Sequence, residues 1–196
     1  MSVKKVEIKS IVSYRGIFSG YSFRGKISPE SGGELEVVQL KDIGDDYSGI
    51  GDNCVFVNGS AIKDKYHLKD RDILFCAKGA NNYAVIFHSR KNHQSVASSA
   101  FFVLRLDQDK ALPEYVAWYI NQPMVQQYLE SRATGTYTTS INRETVENIP
   151  IVLPSLQKQK KVANIANLMA KEQSLYRQLM ENKKRLAQNQ LLKAIQ

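Results

Sequence analysis

The chain has 196 residues, 43% hydrophobic and 23% charged, with ten tyrosines and seven phenylalanines, a composition that supports a buried core and excludes a wholly disordered chain. No run approaches the roughly 18 consecutive apolar residues of a membrane-spanning helix, and MSVKKVEIK has no apolar segment behind its lysines, so it does not read as a signal peptide. The expectation is a soluble, cytoplasmic protein with no membrane partner, its two cysteines, Cys54 and Cys76, buried as free thiols inside apolar runs.

Gly and Ser punctuate the first 110 residues. Between them ELEVVQL (34–40), NCVFV (53–57), DILFCA (72–77), YAVIF (83–87) and AFFVLRL (100–106) read as short strands bounded by SGG, GDN, KGANN and VASS. Strands so closely spaced predict a compact, mostly antiparallel β structure rather than regular βαβ units. In LPEYVAWYINQP, Pro113 suits a first helical position, and Pro123 opens a second helix with Val125 and Leu129 four apart. Asn142 is a cap for a further short helix in NRETVEN. IPIVLP follows as an extended run between Pro150 and Pro154.

From Ser155 onward the chain contains no Gly and no Pro. Leu168, Glu172, Leu175, Leu179, Asn182, Leu186 and Asn189 recur at alternating spacings of four and three, the spacing of a coiled-coil seam with polar interruptions that set register. Some forty helical residues reach about 60 Å, too far to pack along their whole length on a domain of this size. The expected fold is α+β: a β-rich head over residues 1–154 with a small helical part, then a long helix over 155–196. Of the net charge of +8, the segment from Ser155 carries nine Lys and Arg against two acids, whereas residues 1–154 carry eighteen against seventeen. The excess therefore lies on the arm, facing either phosphates or an acidic partner.

Catalytic signatures are missing from the sequence. There is no GxxxxGK[ST], no GxGxxG after a strand, no HExxH and no CxxC. The acids Asp42, Asp45, Asp46, Asp52, Asp64, Asp70 and Asp72 lie mostly in loops beside lysines. A small metal-dependent nuclease assembled from them is the competing enzyme reading; a structural coiled-coil dimer without DNA specificity is another. Binding is favoured, with no catalytic residues, no metal and no cofactor expected. Three loops suit DNA: Tyr21, Arg24 and Lys26 in GYSFRGKI; Lys78, Asn81, Asn82 and Tyr83 in KGANNY; and Arg90, Lys91, His93 and Gln94 in HSRKNHQS. Arg and Lys match guanine O6/N7 and phosphate, while Asn and Gln match adenine N6/N7. Thr134, Thr136, Tyr137, Thr138 and Thr139 form a hydroxylated tract able to meet the DNA backbone.

In order along nearly the whole chain, these segments resemble the specificity subunits of type I restriction–modification systems. GYSFRGKI followed by VQLKDI resembles the family's opening segment, and LKDRDILFCAKG its "l-x-x-G-D-I-L-f-x-x-x-G" strand and turn. ATGTYTTSINRETVENIPIVLPSLQKQKKVANI resembles the passage into the family's helical region and is the most specific of the matches. Arg71 stands where the family usually has Gly, suggesting a different turn. Ser155 and Gln157-Lys158-Gln159 replace the usual acid-containing LPPLxEQ, a difference expected to bear on helix capping or docking. The family usually carries two recognition domains and two helical regions; this sequence has one of each, as a half-length subunit or as part of a longer chain. The resemblance implies a non-catalytic subunit that reads one half of a bipartite site in double-stranded DNA. It further implies pairing with a second copy by antiparallel helix packing through Leu168, Glu172, Leu175, Leu179, Asn182 and Leu186, while DNA adenine methyltransferase and restriction subunits do the chemistry.

Overall fold

The computed structural model describes residues 4–44, 47, 49–79, 81–90, 93–135 and 139–195. Two compact units divide the chain, residues 1–160 and 161–196. The first holds β1 (Lys4–Glu7), β2 (Val12–Ser19), β3 (Leu35–Val38), β4 (Val55–Val57), β5 (Ile73–Cys76), β6 (Ala84–Ile86), β7 (Gln94–Ala97) and β8 (Phe101–Leu106). After these come α1 (Pro113–Ile120), α2 (Pro123–Glu130), α3 (Arg143–Glu147) and β9 (Pro150–Leu153). A single helix, α4 (Leu156–Ala194), begins in the first unit and makes up the described part of the second. This is an α+β fold.

Among the described residues the strands form a four-stranded sheet in the order β2-β8-β5-β6, a three-stranded sheet β4-β3-β7 and a β1-β9 pair. Pairing is antiparallel except between β3 and β7. The five runs read as strands contain β3, β4, β5, β6 and β8. The strands β1, β2 and β7 lie in polar or mixed segments whose pattern carries no clear period.

β5 explains its own sequence. All four residues of ILFC are buried, so both faces of the strand are covered and the run is apolar throughout rather than alternating. Leu74 and Cys76 join Val38, Val85, Phe101 and Val103 in one core cluster. Leu35, Val37, Val55, Val57, Ile62 and Val96 form a second beneath the three-stranded sheet. The free edge of β6 is closed by Asn121 at the end of α1, whose side chain accepts from Ala84 N–H and donates to Ala84 C=O, both at 2.8 Å. An amide thus stands in for a neighbouring strand. Cys54 and Cys76 are buried free thiols, and burial pushes Cys54 up to about 12.

Among the described residues three that are not glycine, Arg15, Tyr47 and Arg71, lie in the left-handed region. In β2 the register slips between Val12 and Ile17, and Arg15 sits at φ 55°. Gly16 beside it cannot take that role cheaply, because it is needed for close approach: a Cβ there would lie 2.4 Å from the Arg105 carbonyl oxygen. Arg71 sits at φ 66°. The expected change of turn at this position does not occur as a loss of left-handed geometry. The backbone keeps a conformation that glycine favours, and its cost of about 1–2 kcal/mol is offset by the side chain. Arg71 Nε and Nη2 donate to the two Glu114 oxygens at 2.9 and 2.6 Å, and Nη1 donates to Gln108.

The caps follow the sequence reading. Pro113 and Pro123 open α1 and α2, and the Asn142 side chain accepts from Thr145 N–H at 2.8 Å at the start of α3. The start of α4 holds a residue whose role sequence did not reveal. Gln159 is fully buried; its Oε1 accepts from Leu112 N–H at 2.9 Å, and its Nε2 donates to the carbonyls of Pro154 at 2.9 Å and Lys110 at 3.3 Å. The first turn of α4 is thereby tied to the loop that opens α1. Gln159→Leu leaves three backbone groups unpaired, and urea unfolding is expected to show a loss of about 2–3 kcal/mol.

Candidate nucleic-acid interface

Strand direction decides which loops share a surface. Ser19 at the end of β2 pairs with Phe102 near the start of β8, and Cys76 at the end of β5 pairs with Phe101. The segments 20–27 and 77–83 therefore leave the same end of the four-stranded sheet. β6 runs antiparallel to β5, with Ile86 opposite Ile73, so residues 87–90 emerge at the other end beside Asp70 and Asp72. The three loops that sequence grouped together do not all lie at one end.

At the first end the hydroxylated tract joins the lysine-bearing turn. Ile141 N–H donates to Ala77 C=O at 2.9 Å and Gly79 N–H to Thr139 C=O at 3.2 Å, while the Thr139 hydroxyl donates to Gly79 C=O at 2.6 Å. Thr134 and Ser140 exchange backbone hydrogen bonds at 3.1 and 2.8 Å. Thr134 and Lys78 are exposed beside it. Thr136, Tyr137 and Thr138 lie outside the described residues, as does Lys91. Arg24 and Lys26 are exposed in the 20–27 segment, whereas Tyr21 is half-buried, edge-on to Phe23 and Tyr66.

The amides and tyrosines of KGANNY divide by role. Asn82 is buried and donates to Cys76 C=O at 3.0 Å, holding the turn from inside. Tyr83 is half-buried and stacks on Tyr47, ring centroids 3.9 Å apart and planes 21° from parallel. Burial, then its contact with Cys76, pushes the Tyr83 phenol up, so it stays a neutral hydroxyl. Asn81 is exposed and donates to the Tyr47 hydroxyl at 2.9 Å. Tyr47 was not legible in the sequence; its backbone stands in the left-handed region at φ 56°.

Arg90 belongs to a different network. Glu36, fully buried on β3, accepts from Arg90 Nη1 at 2.7 Å and from the Ser95 hydroxyl at 2.6 Å. The other terminal nitrogen of Arg90 donates to the carbonyls of Ile50 at 3.2 Å and Gly51 at 2.5 Å. Its guanidinium is thus engaged inside the head, at the base of the loop that carries Tyr47. His93 is exposed and edge-on to Phe56, and Gln94 is the exposed first residue of β7.

Three acids of the competing nuclease reading are likewise engaged, whereas Asp52 and Asp64 are fully exposed. Asp72 receives Arg105 through two hydrogen bonds at 2.9 and 2.6 Å, Asp42 caps Gln39 N–H at 2.8 Å, and Asp70 accepts from Ser89 N–H at 2.9 Å. Asp45 and Asp46 lie outside the described residues. Among the described residues no group of three His, Cys, Asp or Glu is placed to hold a metal, and no helix is long and apolar enough to cross a membrane.

In the second unit, Leu168, Leu175, Leu179 and Leu186 are 67%, 55%, 47% and 60% exposed, an uncovered stripe along one face of α4 with Glu172 and Asn182 in the same row. Ile165, Met169, Tyr176 and Met180 are also exposed and widen the apolar arc to roughly 140° at 100° per residue.

The arrangement is an α+β head presenting polar loops at one end of a sheet, followed by a long helix with an uncovered apolar face. The chain belongs to the type I restriction modification DNA specificity domain family, which it matches over residues 3–183. It is 26% identical over 136 residues to the type I restriction enzyme StySPI specificity subunit of Salmonella potsdam, a match covering 67% of this chain and 29% of that protein. Among solved structures it resembles the HsdS subunit from Thermoanaerobacter tengcongensis, with a TM-score of 0.66 and 17% identity over 92% of this chain and 45% of that one. The type I restriction-modification S subunit from M. genitalium gives 0.61 and 15%, covering 94% and 43% respectively. The chain thus spans less than half the length of these relatives.

The Arg90 network yields a direct expectation. Arg90→Met strands the buried Glu36 carboxylate and is expected to cost about 3 kcal/mol in chemical unfolding. Adding Glu36→Gln removes the stranded charge, and the double variant should recover most of that loss.

Proposed function

We propose that this chain is the DNA-reading part of a type I restriction–modification complex, non-catalytic itself, recognising one half of a bipartite site in double-stranded DNA. Lys78, Asn81, the Tyr47–Tyr83 stack, Thr134, Thr139 and the 20–27 loop with Arg24 and Lys26 form the reading end. Exposed amides and cations of this kind suit base edges and phosphates. Asn82 and Arg90 serve by holding those loops in place.

The observation that carries the rest is the uncovered leucine row on a helix of 39 residues. Apolar area of that extent is covered in solution, and Glu172 and Asn182 within the row suit a register-specific partner helix. The partner is a second copy, packed antiparallel. A two-fold pair uses the same patch on both chains, so it reads an inverted repeat with identical halves around an unread spacer. A DNA adenine methyltransferase subunit and a restriction subunit supply the chemistry, and the wide apolar arc leaves face for a methyltransferase beside the second copy. The complex is cytoplasmic.

Sedimentation of the full chain at micromolar concentration, with no methyltransferase present, is expected to give a dimer. Leu175→Asp combined with Leu179→Asp should give a folded monomer. A monomeric unsubstituted chain would rule out the self-pairing.

A further inference from the structure

A groove of about 800 Å³ runs along β2 and is lined by no carboxylate. Tyr14, Arg15, Lys65 and Arg143 line it, and Phe18 and Tyr66 give it aromatic surface. It reaches Ser22, three residues past the end of β2 and two before Arg24 in the reading loop. Resting on the DNA-reading role argued above, we propose that this groove is a phosphate-backbone track that continues from the reading end along β2 and holds duplex DNA without regard to sequence.

The backbone supports it first. In a regular strand Tyr14 and Arg15 would point to opposite faces. The bulge instead leaves both exposed in succession, Tyr14 at 89%, followed by two buried residues, Gly16 and Ile17. Arg15 occupies the left-handed region, at a position where glycine itself would do so without strain. Its guanidinium lies 5.3 Å from the Tyr14 ring centroid.

Charge supports it second. Arg105 and Arg143 are paired with Asp72 and Glu147. Among the described residues no carboxylate pairs with Arg15 or Lys65, and Lys65 lies 4.9 Å over the Tyr66 ring. Two unneutralised cations, serine hydroxyls at Ser19 and Ser22 and an exposed tyrosine match phosphate and sugar. An acidic protein segment would use the cations but has less use for the aromatic surface.

The test is the salt dependence of duplex binding by the full chain, followed by fluorescence anisotropy on a duplex carrying its selected half-site and on a scrambled one. Arg15→Gln and Lys65→Gln should each reduce the slope of log K against log salt by about 0.9, equally on both duplexes, with the preference between them unchanged. Lys5→Gln, an equal change of charge on β1, should leave the slope as it is. Arg15→Gly should raise Tm by about 2–4 °C through relief of the backbone while weakening both duplexes, an opposition that a merely structural arginine would not produce. Unchanged slopes in both glutamine variants overturn the track, as does a loss confined to the half-site duplex, which would make the groove a base reader. If the unsubstituted chain prefers no sequence, the reading role falls, and the slope on scrambled DNA still decides the groove.

Discussion

The head depends on one buried carboxylate. Asp72 stands at the entrance to β5, almost completely buried, and accepts two hydrogen bonds from the Arg105 guanidinium of β8 and one from the Lys69 N–H of its own turn. Arg105 also donates to His67 C=O at 3.0 Å and lies over the Phe18 ring of β2. One ion pair thus spans the three adjacent strands β2, β8 and β5 and the connection toward the second sheet. Because a one-residue slip would exchange the faces of every side chain, this pair helps fix a single register around β5, whose residues are buried on both faces. That register brings the 77–83 turn and the 20–27 loop to the same end of the sheet.

Backbone strain is distributed around this frame with side chains set against it. Arg71, Tyr47 and Arg15 all take positive φ without being glycine. Arg71 is held by Glu114 and Gln108, and Tyr47 by stacking on Tyr83 and by the Asn81 hydrogen bond. In these two cases the strained residue makes an interaction that its glycine counterpart would lack. Each also moves a side chain to where a regular turn would not put it. Replacement of a glycine by arginine at the mouth of β5 is therefore less a departure in shape than an exchange of backbone freedom for a link between the turn and α1.

Much of the architecture was legible in the residues. Apolar runs bounded by glycine mark β3, β4, β5, β6 and β8, and prolines at first helical positions mark α1 and α2, because those signals are local. β2 escaped because its bulge breaks the alternation that identifies a strand, and β7 because QSVA is too short and polar. The site was legible as segments but not as a set. Residue type assigns Arg90 and Asn82 to DNA as readily as Arg24 and Asn81; only the fold reveals that Glu36, 54 residues away in sequence, captures Arg90 and that Asn82 faces inward. Gln159 carries a motif position without advertising what it holds, since its three partners lie in two other loops.

The distribution of charge connects these observations. The head's eighteen Lys and Arg nearly balance its seventeen acids, and several of the cations, including Arg71, Arg90, Arg105 and Arg143, are committed to internal pairs. The head is left with few spare cations for the sequence-independent attraction that dominates non-specific binding, Arg15 and Lys65 among them. On the proposed reading, discrimination rests on fit at base edges, where a wrong pair costs about 1–3 kcal/mol. The arm, at seven net positive charges by nine against two, carries charge that makes no such distinction. On the proposed reading, exchange of the head's reading loops leaves the charge of the arm unchanged.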